Sequence, residues 1–412
     1  MTVPVIRQEG DSLVFEWDIG PARVQAEVEE VHHESSGWHA EIQWLNLSDE
    51  VRPLISAWKH INLSSPTTVK GHAKSLQEIT GFDASWDQMI EQIAARGIAD
   101  SKKGQEFVKL GGSNEAKVTQ YLLERIIEQN QITLLFGEGG SCKSLLALAI
   151  SLSIQGGYPF LGLKPEHGQV LYLDYETDQE EVDKRIGELC RGHDLDWEHL
   201  PEIHYRRQAL PVAEDIRQLR HFVAAEGIRL VVVDSLGLAC GGEPESADVA
   251  LRLYRALRQL DCTILGIHHV AKGQAEQRGK RTPFGSVYHQ NIPRSTWEVR
   301  SFGEPESSTR NVAMYHRKSN NGHIWKAIGF EFSFGEGCIS LKRSDVMRVP
   351  ELAAGTTQKD QIAAVLTGGM LSVPVIAERT DIPENQVRAV FSRYKRDFQK
   401  NGECWGLPYA AT

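Results

Sequence analysis

ITLLFGEGGSCKSLLALAISLSI, Ile132 to Ile154, is the stretch from which the rest of the chain is read. It opens as a β-rich apolar run, passes through GEGGSCKS (Gly137 to Ser144) and continues as an apolar run of helical length. A strand, a glycine-rich turn ending in Lys-Ser and a helix form a cradle for phosphate. Glycines let backbone N–H groups turn inward, and the helix N-terminus adds partial positive charge. The candidate nucleotide-binding set is Gly137, Glu138, Gly139, Gly140, Ser141, Cys142, Lys143, Ser144 and Leu145. Within it Lys143 has the reach for β- and γ-phosphates, and Ser144 has the hydroxyl for Mg²⁺. The usual pattern places glycine just before the lysine, and here it is Cys142. The N–H survives that exchange, but a side chain must fit beside the phosphates, and its thiol is expected to be open to alkylation.

Working outward, three more apolar runs end in polar residues. VLYLDYETD (170–178) carries Glu176, which could orient or deprotonate an attacking water if this strand lies beside the P-loop strand, while Asp174 and Asp178 suit capping. LVVVDSL (230–236) delivers Asp234 to a strand end, the place for a carboxylate holding water-bridged Mg²⁺. TILGIHHVAK (263–272) carries His268 and His269; neighbours on a strand face opposite ways, so they make a poor metal pair. Either one could touch a terminal phosphate, or be a buried structural histidine.

Apolar strands alternating with helices from about 113 to 347 predict a doubly wound, mostly parallel α/β sheet, extended by further antiparallel strands. Residues 1–112 alternate in period two and then turn helical, predicting a small α+β accessory domain. It holds 10 Lys+Arg against 17 Asp+Glu, a poor match to phosphate and a better one to a protein partner. Residues 348–412 predict a helix-turn-helix or winged-helix-like domain, with Arg388, Arg393, Lys395 and Arg396 expected on its second helix.

Composition sets outer limits. The chain has 412 residues, with 41% apolar, 24% charged and a net charge of −10, so bulk charge does not draw it to nucleic acid and any such contact must be local. Six cysteines without a CxxC pair read as reduced thiols rather than a zinc site, and no signal peptide or membrane-length apolar run is evident. A cytoplasmic protein with no membrane contact is expected.

The order of P-loop, strand-terminal Glu, strand-terminal Asp and strand-terminal His resembles the RecA-type ATPases. It is most like the RepA-like hexameric replicative helicases and their AAA-labelled relatives, with DnaB and KaiC more distant. The resemblance covers about 230 central residues. It implies ATP and Mg²⁺ as ligands, Lys143 and Ser144 as the Walker A pair, Glu176 as catalytic glutamate and Asp234 as the Walker B carboxylate. His268 or His269 would be the γ-phosphate sensor. The segment 272–300 follows the sensor strand, where relatives contact single-stranded nucleic acid. It offers Lys272, Arg278, Lys280 and Arg281 for phosphates, or is a solvated loop. Arg294, in IPRSTWEV, and Lys318, in HRKSNNG, are candidates for a cation reaching a neighbouring subunit's nucleotide.

These features together point to a homo-oligomeric, hexameric Mg²⁺-dependent ATPase with helicase-like action on single-stranded DNA in replication, recombination or repair, on a mobile element for instance. Two other readings stay open: a KaiC-like switching ATPase that recognises protein, and a sequence-specific DNA-binding regulator whose core only holds nucleotide.

Overall fold

The computed structural model describes residues 3–9, 12–51, 53–103, 118–193, 202–271, 281–304 and 306–408. They fall into two compact units, Met1–Ala116 and Lys117–Thr412.

In the first unit β1 (Val5–Glu9), β2 (Ser12–Ile19), β3 (Ala22–Glu34), β4 (Gly37–Asn46) and β5 (Leu54–Asn62) form an antiparallel sheet in sequential order. Helices α1 (Pro66–Thr80) and α2 (Trp86–Lys103) follow. Period two makes the core: Leu13, Phe15 and Trp17 of β2 and Ala40, Ile42 and Trp44 of β4 face the same buried cluster. The helices complete it with Val69, Leu76, Met89, Ile90 and Ile93, at helical spacing. Ser65 caps α1 by accepting from the Thr68 N–H, and Gly81, at φ 66°, ends it in the left-handed region that glycine adopts freely.

The second unit begins with a short ribbon, β6 (Tyr121–Leu123) and β7 (Ile127–Glu128), then alternates strands and helices. In chain order these are β8 (Ile132–Gly137), α3 (Lys143–Gly156), β9 (Gln169–Asp174), α4 (Gln179–Gly192), β10 (His204–Arg207), α5 (Val212–Ala225) and β11 (Ile228–Asp234). Next come α6 (Leu236–Ala239), α7 (Ala247–Gln259), β12 (Thr263–His269), α8 (Tyr288–Asn291), β13 (Ser295–Phe302), β14 (Thr309–Ser319), β15 (Ile328–Gly335) and β16 (Cys338–Ser344).

The sheet order is β10-β9-β11-β12-β8-β13-β14-β15-β16, parallel from β10 to β13 and antiparallel beyond. One expectation is thereby corrected. β9, which leads to Glu176, is not beside the P-loop strand β8, because β12 and β11 lie between them. Both faces of the sheet are covered, which is why its strands are apolar throughout. On β8, Leu135 enters the cluster under α3 and α4, and Leu134 and Phe136 enter the cluster under α5 and α7.

The chain closes with α9 (Pro350–Ala353), α10 (Gln358–Val365), β17 (Leu371–Ser372), α11 (Val373–Thr380), α12 (Glu384–Arg393), β18 (Gln399–Asn401) and β19 (Cys404–Gly406). The last three helices and the small sheet β17-β19-β18 share a core of Ile362, Ile376, Val387, Phe391 and Phe398. Within it Phe391 stacks on Trp405 with centroids 4.1 Å apart. Helix α12 stops at Arg393, because Tyr394 leaves the helical region (φ −115°, ψ 48°), so Lys395 and Arg396 stand in the turn after it rather than on it. Tyr315 of β14 ties α9 to the sheet by donating to the Leu352 carbonyl at 2.5 Å.

Candidate nucleotide site

The carboxyl ends of the parallel strands make the site, as the strand order of a doubly wound sheet dictates. Strand β8 delivers Gly137 to the edge, where no other residue fits: a Cβ there would lie 2.3 Å from the Val299 carbonyl oxygen on β13. The loop then turns through two left-handed residues, Gly140 (φ 71°) and Cys142 (φ 65°). The second is costly, since an L side chain in that region strains the backbone by about 1–2 kcal/mol. The thiol is half-buried, and its burial raises the Cys142 pKa, against the pull of Arg310 and Lys143. Burial thus disfavours the thiolate, the form that alkylation requires.

Lys143, at the start of α3, is buried, and its ammonium donates to the Glu138 carbonyl at 2.6 Å and lies 3.4 Å from Ser141 Oγ. Burial lowers its pKa, while Asp234 and Glu176 favour the charged form. Asp234 ends β11 almost fully buried. Tyr172 donates to its Oδ2 at 2.7 Å, and Oδ1 has no hydrogen-bond partner among the described residues. Burial raises the Asp234 pKa, and the Tyr172 and Ser144 hydroxyls oppose it.

Although β9 is three strands from β8, Glu176 reaches the site because the chain runs two residues past the strand end. The backbone N–H groups of Glu176 and Thr177 donate to Asp174 Oδ1 at 2.9 and 3.0 Å, which fixes the turn, and Asp178 then caps α4. Glu176 Oε1 lies 3.4 Å from His269 Nε2. The His269 contact lowers the Glu176 pKa to about 2 against burial, helped by Ser235 and Lys143.

The two histidines separate as β-strand geometry requires. His269 shares a pocket of about 240 Å³ with Gly140–Leu145, Glu176, Arg185, Asp234 and Ile267. His268 points through the sheet and packs edge-on against His289, centroids 4.6 Å apart, with neither ring nitrogen hydrogen-bonded to a described residue. Burial holds its pKa at about 3. His268 is therefore a buried neutral ring, and of the two histidines His269 is the one that lines the pocket beside the loop.

Arg281, expected as a nucleic-acid contact, is nearly buried instead. It pairs with the Glu138 side chain and approaches Glu298, which is fully buried and also pairs with Arg300 and Arg317. A carboxylate this deep is tolerated only with cations around it. Lys272, Arg278 and Lys280 lie outside the described residues. Arg388, Arg393, Lys395 and Arg396 are exposed, and Arg388 pairs with Glu384 at 2.9 Å.

Arg294 and Lys318 sit at the opposite edge of the sheet from the loop. The Arg294 N–H donates to the carbonyl of Ile132, at the start of β8, whereas the loop leaves its end, about 17 Å away at 3.3 Å per residue. Lys318 is engaged: its ammonium donates to the carbonyls of Gln290, Asn291 and Pro293 at 3.0, 2.6 and 2.7 Å. It therefore holds the segment leading into the exposed Arg294 rather than reaching outward.

Reading the sequence missed two cations near the loop. Arg185 comes from α4, and its signal was present, since a helix begun just after Glu176 runs back along the sheet edge. Arg310 of β14 donates to the Gly140 carbonyl at 3.3 Å, and only strand pairing brings it there.

The donor set fits a magnesium–nucleotide pair. Loop N–H groups and Lys143 suit the phosphates, Gly139 and Gly140 open onto free space, and the Ser144 hydroxyl and the unpartnered Asp234 Oδ1 are hard oxygen ligands. Among the described residues no cluster of three or more His, Cys, Asp or Glu is placed to cage an ion by itself.

Such a loop on the central strand of a parallel sheet defines a P-loop nucleotide-binding domain. Residues 106–275 match the family described as "AAA domain", and the central region is a RecA-superfamily P-loop ATPase domain. No curated protein matches the chain significantly. Among solved structures, a KaiC-like protein of the hyperthermophilic archaeon Pyrococcus horikoshii is similar over 53% of this chain and 93% of its own, at 16% identity and a TM-score of 0.38, too low to add to the fold described above. Among the described residues no helix is long and apolar enough to cross a membrane.

Proposed function

We propose that the chain is an Mg²⁺-dependent, ATP-hydrolysing RecA-type motor that works as a homo-oligomer, a hexamer, on single-stranded nucleic acid in the cytoplasm, in DNA replication, recombination or repair. The observation that carries hydrolysis is the meeting of Glu176, His269, Lys143 and Asp234 in one pocket from four separate segments.

Loop N–H groups and Lys143 bind the phosphates, Lys143 exchanging the neutral Glu138 carbonyl for a charged acceptor. Ser144 and Asp234 would hold Mg²⁺, which would neutralise charge developing on the phosphate oxygens. Glu176, ionised at any physiological pH, accepts a hydrogen bond from the attacking water and orients it. His269 steadies Glu176 and stands where a lost terminal phosphate would be felt. Arg294, exposed at the far edge, cannot serve its own loop and completes a neighbour's site. On this reading each subunit carries both parts of a shared site: a loop at one edge of the sheet and an arginine at the other.

The N-terminal sheet and helices form the partner-binding or ring-shaping domain. The C-terminal bundle is winged-helix-like, and its exposed Arg388, Arg393, Lys395 and Arg396 supply phosphate contacts. The test is phosphate release with and without single-stranded DNA, beside Lys143→Ala. Stimulation that vanishes in Lys143→Ala supports the motor. Assembly-dependent turnover that ignores every polynucleotide replaces it with a switching ATPase, and no turnover under any condition removes both.

A further inference from the structure

We infer that Arg310 is a second nucleotide-binding cation, acting on the phosphates held by its own chain's loop. This rests on the reading of the loop as a nucleotide site and extends it to a residue that no motif marks.

Strand β13 runs parallel to β8, with Val299 opposite Gly137, and β14 pairs antiparallel with β13, with Asn311 opposite Phe302. The start of β14 therefore stands at the edge where the loop leaves the sheet. From there the Arg310 guanidinium reaches back, and its Nη1 donates to the Gly140 carbonyl at 3.3 Å. That is a long bond to a neutral acceptor, weaker than a guanidinium makes with an anion.

Its neighbours in the sheet are committed elsewhere. Arg281, Arg300 and Arg317 surround Glu298, whereas no carboxylate among the described residues lies within ion-pair distance of Arg310. Arg310 is half-exposed, so no desolvation cost forces it onto the loop. Among the described residues there is room beside it, because none of their atoms stands within 4 Å of where a Cβ on Gly139 or Gly140 would be. A planar fork beside that part of a P-loop faces the α- and β-phosphates, which ADP and ATP share.

Arg310 is thus distinct in kind from Arg294. A cation on shared phosphates strengthens both nucleotides in cis, whereas a trans-acting cation on the transferred group changes turnover.

The experiment titrates fluorescent ADP and a non-hydrolysable fluorescent ATP analogue, with Mg²⁺, against wild type, Arg310→Ala, Arg310→Gln, Arg310→Lys and Lys143→Ala. Losing a charge-assisted hydrogen bond should weaken both nucleotides in the Ala and Gln variants by about tenfold or more, with Lys recovering part. Thermal melting of each variant without nucleotide shows that the fold stands, and the Gln variant carries the test should Ala not fold. Unchanged affinity for both nucleotides overturns the inference. So does a loss confined to turnover or to the triphosphate. Folded wild type that binds neither nucleotide overturns the proposed function itself, an outcome separate from any Arg310 effect.

Discussion

Glu176 Oε1 and His269 Nε2 lie 3.4 Å apart although 93 residues separate them along the chain and their strands, β9 and β12, are held apart by β11. The contact forms because Glu176 lies two residues past the end of β9 while His269 is the last residue of β12, at the carboxyl edge where side chains from non-adjacent strands converge. It pairs the carboxylate proposed to orient water with the histidine proposed to sense phosphate.

Removing the carboxylate should separate binding from chemistry. Glu176→Gln keeps size and a hydrogen bond but loses the negative acceptor, so phosphate release should fall about 10²–10⁴-fold with nucleotide affinity kept. Single-turnover hydrolysis beside a binding titration reads both; hydrolysis within twofold of wild type would remove Glu176 from the mechanism. With its pKa at about 2, Glu176 cannot be the source of any change in rate between pH 6 and 8, because it stays charged across that range.

Cys142 is a strained residue at φ 65°. Cys142→Gly should relieve the strain, offset in part by glycine's greater freedom when unfolded, for a net gain of up to about 1 kcal/mol. Melting temperature and nucleotide affinity should both rise or hold. A clear fall in either means that the thiol's packing outweighs the backbone strain.

The buried histidines tie stability to pH. His268 and His316 have folded pKa values depressed to about 3 and 4 by burial, against an ordinary value near 6.5. Below pH 6.5 the unfolded chain binds protons that the folded chain refuses, so stability is full above 6.5 and is lost as pH falls toward 4. At pH 5 each costs about 2 kcal/mol. Melting scans should show His268→Gln with a shallower decline between pH 7 and 5 than wild type; parallel curves would mean that His268 does not remain neutral.

Glu298 anchors three arginines. Glu298→Gln should destabilise by about 3–5 kcal/mol, because Arg281, Arg300 and Arg317 would be left buried around a neutral group. Chemical denaturation measures this, and a loss under 1 kcal/mol would show that solvent already screens the cluster.

Arg294 allows a subunit-mixing test. Arg294→Ala and Lys143→Ala should each lack turnover alone, yet a mixture should recover part of it, since a chain with an intact loop then meets a neighbour with an intact arginine. No recovery from a mixture shown to co-assemble would rule out a shared site.

The strand, loop and helix from Ile132 to Ile154 were legible because their signals are local: an apolar run, glycines, Lys-Ser and an apolar helix lie within one contiguous stretch. The carboxylates at the ends of β9 and β11 could be named for the same reason. Which strands would be neighbours could not, because pairing across the sheet is set by packing helices on both faces rather than by order along the chain. Nor could the sequence choose between His268 and His269, since strand alternation separates them without saying which face meets the loop.

Arg281 shows the limit most plainly. Its local neighbourhood is that of an exposed basic segment, but the fold sets it between Glu138 and Glu298, residues 143 places before it and 17 after it. Local chemistry along the chain therefore determined the phosphate loop and the kinds of group around it. Only the tertiary structure decided which cations face that loop, which are spent on a buried carboxylate and which stand at the far edge, because side-chain partners are chosen by distance in space.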